Sequence, residues 1–316
     1  RVSLMRVVVL MSTYNGERYV EEQLRSILDQ LPERGHIQVR DDGSTDATVA
    51  RIQAFGDERI TLKCGANLGF ARSFLTLMAD APDDADMYML SDQDDVWLPE
   101  KIARAWLQLK DRLDEPVLYC SRMQLVDVNL KPIELSINWP RPPSFENALT
   151  ENIVTGCTAA FTRAVRRLAL AKTDTSLIHF HDWWLYLVTA AFGRVVFDPQ
   201  PTILYRQHDG NAIGMGAGFR RYWTILKFIL KTSWVKIMFD QLHAFSYAHS
   251  GSLDSEHMQQ MNSMFYPRRW QSAVALIFSS RLHRQSLSGE VLFRTLLLVE
   301  LVRSLPPISF FNGSRI

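Results

Sequence analysis

The first 110 residues alternate between strand-like and helix-like hydrophobic patterns, and this alternation constrains the fold more than any other feature. Val7–Met11 is a continuous run of β-branched and other apolar residues, which is typical of a strand buried on both faces. Apolar side chains then recur at helical spacing from Val20 to Leu31, and Pro32 ends that segment. Further strands are predicted at 37–40, 60–64 and 87–90, and further helices at 47–55, 69–79 and from about 99. Such alternation predicts an α/β protein with a mostly parallel sheet and helices on both faces.

The later sequence adds a second region of different character. The pattern predicts a Pro-rich loop at 130–152, a strand at 153–162, a helix at 182–192 and one or two strands at 195–205. Gly214–Gly218 is rich in glycine and predicts a hinge, after which helices are expected to about residue 303. We therefore expect an α/β domain at 1–212 and a C-terminal helical extension at 219–316.

Charge is distributed unevenly along the 316 residues, although the whole chain is nearly neutral. The formal net charge of +1 argues against a dedicated nucleic-acid-binding protein. Residues 1–218 carry 23 Lys and Arg against 29 Asp and Glu, whereas residues 219–316 carry 12 against 5. An acidic first part and a basic last part indicate different tasks.

Cysteine content and hydropathy bear on the cellular compartment. Cys64, Cys120 and Cys157 show no paired spacing, so we expect no disulfide framework, and a reducing cytoplasm fits best. The sequence shows no secretory signal pattern, and no run of about 18 apolar residues predicts a conventional membrane span.

An acidic cluster follows the predicted strand 87–90. In the segment Ser91–Trp97, whose sequence is Ser-Asp-Gln-Asp-Asp-Val-Trp, three carboxylates lie within four residues and repel one another. A divalent cation with oxygen ligands removes that repulsion and bridges naturally to a diphosphate. A solvated acidic turn is the alternative, and the cluster alone does not decide between the two.

Two further motifs end predicted strands in the same half of the chain. In the segment 40–46, the Asp42 carboxylate suits the imide N–H of a uracil or thymine ring, and Gly43 allows close backbone approach. The alternative is a strand-to-helix turn capped by Thr45 or Asp46. Tyr14 offers an aromatic face for base stacking. Because parallel sheets bind ligands beyond the carboxyl ends of their strands, we expect these motifs and the acidic cluster to meet at one edge.

Taken in order, these motifs resemble the nucleotide-sugar-binding half of the family 2 inverting glycosyltransferases, which have the Rossmann-like GT-A fold. The matching segments are Ser12–Asn15, Asp41–Asp46, Asn67–Gly69, Asp92–Asp95, Thr155–Cys157, His181–Trp184 and Leu204–His208. The resemblance is greatest to the bacterial branch that includes rhamnosyltransferases of O-antigen, capsule and cell-wall polysaccharides. It implies a catalytic domain at 1–212, with a nucleotide-sugar half at about 5–115 and an acceptor half at about 116–212.

The resemblance also implies roles for the residues on the donor side. Ser12 and Tyr14 would hold the base, and Asp42 would bond to its N3–H. Asp92 would lie at the ribose or at the metal.

The same resemblance implies a site for Mg²⁺ or Mn²⁺. Asp94 would be the principal ligand, and Asp95 would hold the loop or a sugar hydroxyl. His208 would be a further metal ligand or would contact the diphosphate, with Arg206 assisting. A structural role is the alternative for His208.

Some members of the family carry a Glu-Asp pair where this chain has His181 and Asp182. The resemblance therefore places the general base on Asp182 and leaves His181 as a positioning group. Inverting transfer needs a base near the acceptor hydroxyl, and the apolar Trp183 and Trp184 are expected to raise the pKa of Asp182. One indole, assigned to Trp183, would stack on an acceptor sugar, and the other would pack in the core. A carboxylate serving only the first turn of a helix is the alternative for Asp182.

The basic region after residue 218 predicts either surface attachment or packing. On a helix, Arg220, Lys227 and Lys231 share one stripe beside a broad apolar surface, which is typical of helices at a membrane surface. The segment 266–281 repeats this basic and aromatic character. A helical cap on the catalytic domain, or on a second copy of the chain in a homodimer, is the alternative.

Together the motifs predict a metal-dependent inverting glycosyltransferase. Its donor would be a UDP- or dTDP-sugar, with rhamnose as one candidate, and its acceptor a hydroxyl of a glycan or lipid-linked saccharide in bacterial surface polysaccharide synthesis. The expected location is the cytoplasm, and the membrane hypothesis would add peripheral attachment to the cytoplasmic face of the inner membrane. The competing hypotheses are a nucleotide-sugar-binding scaffold without catalysis and a phosphoryl-transfer enzyme. The sequence has no Gly-rich loop ending in Gly-Lys-Ser/Thr, which argues against the second.

Overall fold

The computed structural model describes residues 5–172, 174–208, 234–264, 269–279 and 283–304. The strands are β1 (Val7–Thr13), β2 (His36–Asp41), β3 (Ile60–Cys64), β4 (Met87–Ser91), β5 (Val96–Trp97), β6 (Val117–Val126), β7 (Pro132–Leu135), β8 (Ala160–Phe161) and β9 (Arg194–Arg206). The α-helices are α1 (Val20–Leu28), α2 (Thr48–Ala54), α3 (Phe70–Asp80), α4 (Lys101–Leu109), α5 (Phe145–Ala148), α6 (Arg163–Ala169), α7 (His181–Phe192), α8 (Trp234–His249), α9 (Ser255–Asn262), α10 (Arg269–Ile277) and α11 (Leu287–Ser304).

The described strands form one sheet in the order β3-β2-β1-β4-β8-β6-β9-β5, with β7 paired to β6. The first four strands in this order are parallel, as expected, and their register places Thr13 beside Asp41 and Met11 beside Ser91. Beyond β4 the sheet is mixed, because β8 runs antiparallel to both β4 and β6 while β6 and β9 are parallel. The parallel half therefore brings the ends of β1, β2 and β4 to one edge.

Helices cover both faces of this sheet, and β1 shows why its sequence is continuously apolar. Val7, Val9 and Met11 lie in one buried hydrophobic cluster, whereas Val8 and Leu10 lie in the other. All five side chains are fully buried, because successive residues of a strand point to opposite faces. The predicted α/β architecture with a C-terminal helical part is confirmed.

The C-terminal helices pack on the sheet domain. Val235 and Phe245 of α8 and Phe293 of α11 belong to the same buried cluster as Val8 of β1 and Trp184 of α7. The predicted hinge at 214–218 and the basic stripe at 220–231 lie outside the described residues. Among the described helices, none combines the length and apolar character needed to cross a bilayer.

The predicted strand at 153–162 is wrong for most of its length. The structure has a 3-10 turn at Gly156–Thr158 and only two strand residues, Ala160 and Phe161. The turn forms because its polar groups bond elsewhere: Gly156 donates its N–H to Asp182, and the carbonyl of Cys157 accepts from Lys101. The Pro-rich segment 130–152 likewise contains β7 and α5 within the predicted loop.

Candidate active site

The acidic cluster is held between two strands. Asp92–Asp95 connects β4 to the short strand β5, and β5 pairs with the end of β9. Arg206 in β9 donates its backbone N–H to Asp95 Oδ1 at 3.1 Å and its guanidinium Nε to the Asp94 carbonyl at 2.8 Å. The loop is therefore fixed by contacts far apart in sequence.

Arg206 is itself buried, and its contacts explain its role in the structure. Its guanidinium bonds to the Val128 carbonyl and to Glu22, and it lies over the Tyr19 ring at 4.5 Å from the ring centroid. These contacts hold the acidic loop in place. Arg206 is only 2% exposed, and its assistance at a diphosphate stays a prediction.

Asp95 is the most buried carboxylate of the cluster. It is 1% exposed, and its Oδ2 has no hydrogen-bond partner among the N–H and O–H groups of the described residues. Burial raises the pKa of Asp95 well above its usual value, and the charges of Asp94 and Asp92 raise it further. The Cys157 thiol, a weak donor, is the side chain that bonds to this carboxylate, and a buried carboxylate with so little donor support is the kind of ligand a cation would satisfy.

Asp92, Asp95 and the thiol of Cys157 converge. One ligand atom from each lies within 4.8 Å of the others. Burial raises the pKa of Asp92 to about 7, with further contributions from the charges of Asp94 and Asp182. Two carboxylates that repel each other fit Mg²⁺ or Mn²⁺, while a thiol is a softer ligand than either ion prefers. Cys157 is buried beside the carboxylates, a placement that the sequence did not indicate.

Asp94 takes a different position within the loop. Its Oδ2 lies 2.9 Å from Nε2 of His208, and the His208 ring stacks on Tyr19 with centroids 5.2 Å apart. The two residues predicted as metal ligands thus contact each other, and Asp94 is not part of the group formed by Asp92, Asp95 and Cys157. Their ligation of a metal stays a prediction.

Lys101 lies behind the cluster, and sequence reasoning missed it. The side chain is fully buried in the first turn of α4, and Nζ donates to the Cys157 carbonyl at 2.9 Å. Burial lowers the pKa of Lys101 to about 8, while neighbouring acidic groups including Asp95 raise it. Its spacing in the sequence could have identified Lys101 as buried, because it lies four and eight residues before Ala105 and Leu109 on the buried face of α4.

Asp182 lies in the first turn of α7, where it contacts the Gly156 turn. Its Oδ2 accepts from the Gly156 N–H at 3.1 Å, and its Oδ1 accepts from the Trp183 N–H at 2.7 Å. Burial raises the pKa of Asp182 to about 6, although these backbone bonds lower it. The charge of Asp182 in turn raises the pKa of Asp92, so the two carboxylates lie close enough to interact electrostatically.

His181 is packed beneath this turn. The ring is 5% exposed and stacks on Phe74 with centroids 4.2 Å apart, and neither ring nitrogen has a hydrogen-bond partner among the described residues. Burial lowers the pKa of His181 to about 3, so the ring is neutral. A Cβ on residue 156 would lie 2.6 Å from His181 Nε2, so only glycine fits there.

Both tryptophans of α7 lie in the core. Trp183 is 3% exposed, donates its indole N–H to the Ala148 carbonyl and stacks on Trp234 of α8 at 5.6 Å. Trp184 is fully buried and donates to the Ala169 carbonyl. The predicted stacking of Trp183 on an acceptor sugar is therefore not supported, because its faces are already covered.

The predicted base-binding residues lie at the same sheet edge. Ser12 Oγ is 2.6 Å from Ser73 Oγ, and the Tyr14 side chain is 49% exposed. Gln93 of the acidic loop exchanges hydrogen bonds with the backbone of Tyr14 at 2.8 and 2.9 Å. The ends of β1 and β4 are thereby joined.

Asp42 is buried and organises the neighbouring turn. Its carboxylate accepts from the N–H groups of Leu68 at 2.8 Å and Gly69 at 2.9 Å, and it pairs with Arg40. Gly43 has φ of 86°, which favours glycine, and a side chain there would contact the 65–67 backbone. Base recognition by Asp42 stays a prediction.

Comparison with known proteins adds an independent line of observation. The sequence model described as Glycosyl transferase family 2 matches residues 8–173. The dTDP-rhamnosyl transferase RfbG of Shigella flexneri is 28% identical over 226 residues, which cover 66% of this chain and 75% of the relative. An uncharacterized glycosyltransferase of a Nostoc strain is 32% identical over 218 residues, 66% of each chain.

Solved structures share the fold. Residues 1–349 of S. aureus TarS, solved in complex with UDP-GlcNAc, superpose with a TM-score of 0.59 at 15% identity, covering 96% of this chain and 82% of that one. The mannosyltransferase PcManGT from Pyrobaculum calidifontis, solved with GDP-Man and Mn²⁺, gives a TM-score of 0.50 at 18% identity, covering 94% and 87%. At sequence identities this low, the structural similarity shows a shared GT-A fold and nothing more.

Proposed function

The chain belongs to glycosyl transferase family 2, and from this premise we propose that it transfers a sugar with inversion from a nucleotide diphosphate to an acceptor hydroxyl. The supporting observation is the placement of Asp182 across the Gly156 turn from the Asp92–Asp95 loop. One carboxylate is buried at a helix start, and a cluster of carboxylates faces it at the strand ends. An inverting displacement requires a base beside the acceptor hydroxyl and charge stabilisation beside the leaving group, and these two groups would supply them.

Asp182 acts as the general base in this proposal. As the acceptor oxygen forms its bond to the anomeric carbon, the hydroxyl proton passes to the Asp182 carboxylate. The bond between the anomeric carbon and the diphosphate oxygen breaks, and the nucleoside diphosphate leaves with that electron pair. A pKa of about 6 keeps the carboxylate ionised at neutral pH while making it a stronger base than an exposed aspartate.

We propose that Asp92 and Asp95 hold a Mg²⁺ or Mn²⁺ ion, with Asp94 and His208 beside them. Such an ion neutralises the charge that develops on a leaving diphosphate. The buried Asp95 Oδ2, which has no N–H or O–H donor among the described residues, and the raised pKa values of Asp92 and Asp95 support a cation at this place. Lys101, which is protonated below its lowered pKa of about 8, supplies a positive charge behind the pair.

The donor in this proposal is a dTDP- or UDP-sugar, and dTDP-rhamnose is the first to test. The similarity to a dTDP-rhamnosyl transferase supports that choice. Tyr14 is 49% exposed at the end of β1, where Asp42 donates its backbone N–H to the Thr13 carbonyl, and Ser12 lies in the same strand. The acceptor would be a hydroxyl of a glycan or lipid-linked saccharide used in bacterial surface polysaccharide synthesis.

A donor-hydrolysis screen tests the proposal. Purified protein is incubated with dTDP-, UDP- and GDP-sugars in Mg²⁺, Mn²⁺ or EDTA, and the released nucleoside diphosphate is measured. We expect turnover of a dTDP- or UDP-sugar that EDTA abolishes. Turnover of GDP-sugars alone would contradict the base assignment. Tight nucleotide-sugar binding with no turnover, even with acceptor saccharides, would favour the non-catalytic scaffold.

A further inference from the structure

The thiol of Cys157 is a buried chemical group at the active site to which the proposed reaction gives no task. The residue is fully buried, and its sulfur lies within 4.8 Å of one carboxylate oxygen of Asp92 and one of Asp95. A buried thiol is a poor nucleophile, but a divalent cation can displace its proton and bind the sulfur. The position of the sulfur beside two carboxylates therefore directs attention to metal ligation.

The Asp95 carboxylate gives a separate indication of a cation. Asp95 is 1% exposed, and no N–H or O–H group of the described residues donates to its Oδ2. The side chain that bonds to this carboxylate is the thiol of Cys157, which is a weak donor. A cation that takes the place of the thiol proton would satisfy the buried oxygen and bind the sulfur at the same time.

The backbone holds Cys157 in place at the edge of the sheet. Its carbonyl accepts from Lys101 Nζ at 2.9 Å, and the carbonyl of Ala159 accepts from the Leu90 N–H at 3.1 Å. Leu90 lies in β4, the strand that leads into the acidic loop. The sulfur and the two carboxylates are therefore carried by segments that are bonded to each other, and such preorganisation favours binding of a ligand.

The charges of this group balance when a divalent cation is bound. The ionised carboxylates of Asp92 and Asp95 and a thiolate at Cys157 together carry three negative charges. A divalent cation supplies two positive charges, and the buried ammonium of Lys101, which interacts with both carboxylates, supplies the third. The site thus compensates for the loss of the thiol proton that metal binding requires.

We propose that Cys157 is a thiolate ligand of the cation that Asp92 and Asp95 hold, and that the site therefore prefers Mn²⁺, Co²⁺ and Zn²⁺ to Mg²⁺. Binding forms a metal–sulfur bond, and the thiol proton leaves to solvent. Thiolates bind transition-metal ions and Zn²⁺ well, whereas Mg²⁺ takes oxygen ligands, so the sulfur adds affinity for the first group only. The inference rests on the proposed cation site and names the class of ion that the site takes.

Absorption spectroscopy with Co²⁺ alone tests the proposal, because a thiolate bound to Co²⁺ gives a near-ultraviolet charge-transfer band that carboxylates do not give. The full chain is kept reduced and carries Cys64→Ser, which removes an exposed thiol that could bind Co²⁺. This protein should show the band, and the additional change Cys157→Ser should abolish it. The same change should weaken Co²⁺ binding at least about tenfold, since even the outer partners of metal ligands contribute that much.

Calorimetric titration with Mg²⁺ separates ligation by sulfur from a structural effect. Cys157→Ser should change the Mg²⁺ affinity by less than about threefold, because Mg²⁺ does not use the sulfur. Serine is close to cysteine in size and still has a donor for Asp95, so the melting temperature of the metal-free protein should change little. Equal losses of Mg²⁺ and Co²⁺ affinity would show that the thiol only supports the carboxylates, and would overturn the proposal.

The matched control is Cys120→Ala, which removes another fully buried thiol and should keep the charge-transfer band. Co²⁺ that binds without the band, or a band that persists in Cys157→Ser, would overturn the proposal and leave the proposed function intact. Failure of Co²⁺ to bind at all would overturn both the thiolate ligand and the proposed cation site.

Discussion

The carboxylates Asp92 and Asp182 have their pKa values raised mainly by burial, to about 7 and about 6. The other contributions to the two pKa values differ. Asp182 has two backbone N–H donors that favour its ionised form, whereas Asp92 faces the like charges of Asp94 and Asp182. At neutral pH Asp182 is therefore ready to accept a proton, and Asp92 becomes fully ionised only when a cation offsets its neighbours.

The first prediction concerns the pH dependence of transfer. Because the base must be ionised, kcat/KM should fall as the pH drops below about 6, by tenfold per unit at the limit. Asp182→Asn should lower kcat by roughly 10²- to 10⁴-fold. The measurement is a pH–rate profile with the preferred donor. Asp111→Asn, at a carboxylate whose side chain is 83% exposed, is the control and should leave the profile unchanged. Full turnover by Asp182→Asn would remove Asp182 from the mechanism.

The second prediction concerns the stability cost of the acidic cluster. Asp95→Asn keeps the acceptor for the Arg206 N–H but removes a buried charge from beside Asp92 and Asp94. We expect it to stabilise the metal-free protein by about 0.5–2 kcal/mol at pH 8. The raised pKa sets the sign, since a buried carboxyl that prefers its proton costs stability as the pH rises through its folded pKa.

Thermal unfolding with and without Mn²⁺ measures both effects. Wild type should gain stability from Mn²⁺, and Asp95→Asn should lose most of that gain because one ligand oxygen is replaced by an amide. An equal Mn²⁺ effect in both proteins would place the cation elsewhere.

How far the site follows from sequence differs between residues. Asp92 and Asp182 are found from motifs, because strand ends and helix starts are readable from local patterns. Lys101 and the placement of Cys157 depend on the packing of α4 against the Gly156 turn, which joins residues 56 positions apart. The burial of Trp183 likewise depends on α8, which no local pattern links to α7.

At the scale of elements, several aromatic pairs join α7 to α8, and one of them involves the residue next to Asp182. The rings of Trp183 and Trp234 stack with an interplanar angle of 15°, and Arg284 lies over the Trp234 ring at 5.0 Å. Trp183 directly follows Asp182. The stack therefore connects the C-terminal helices to the start of the helix that carries the proposed base.

The third prediction tests this connection. Trp234→Ala should lower kcat by about 10- to 100-fold with little change in the donor KM, because the orientation of Asp182 loses its support. Trp234→Phe should recover most of the activity by restoring the stack. Phe245→Leu is the control on the same helix, since Phe245 packs on Trp184 and not on Trp183. It should lower the melting temperature without the kcat effect. Equal kcat losses in Phe245→Leu and Trp234→Ala would indicate general destabilisation.

The elements themselves were predictable to different degrees. The segments from β1 to β4 have local apolar patterns that indicate strands and helices directly. The expected strand 60–64, for example, matches β3 in full. The segment 153–162 is also rich in apolar residues but does not form the expected strand. Its backbone groups bond to Asp182 and Lys101, partners that a local pattern does not reveal.

At the scale of the whole molecule, the described C-terminal helices and the sheet share one core. Met238 of α8 and Leu297 of α11 are fully buried in the cluster that also contains Leu10 of β1. A boundary near residue 212 was expected from composition. The shared core indicates that the regions on its two sides stabilise each other.

The fourth prediction follows from this shared core. A chain ending at residue 208 would expose the side of α7 that packs on α8, including Trp183 and Trp184, and should lose its cooperative unfolding transition. A chain ending at residue 304 keeps α8 to α11 and should unfold cooperatively. Urea denaturation followed by tryptophan fluorescence compares the two. Cooperative unfolding of the shorter chain with full donor binding would show that the sheet domain is independent.

The central claim is that the strand-end carboxylates hold a cation against the nucleotide diphosphate, with Asp182 facing them. The most direct measurement is an anomalous difference map at the manganese edge, from crystals soaked with dTDP and Mn²⁺. We predict one strong peak bonded to a carboxylate of the Asp92–Asp95 loop and to diphosphate oxygens, on the side of the loop that faces Asp182. Nucleotide bound with no peak at this loop, or a peak with ligands only elsewhere, would contradict the account.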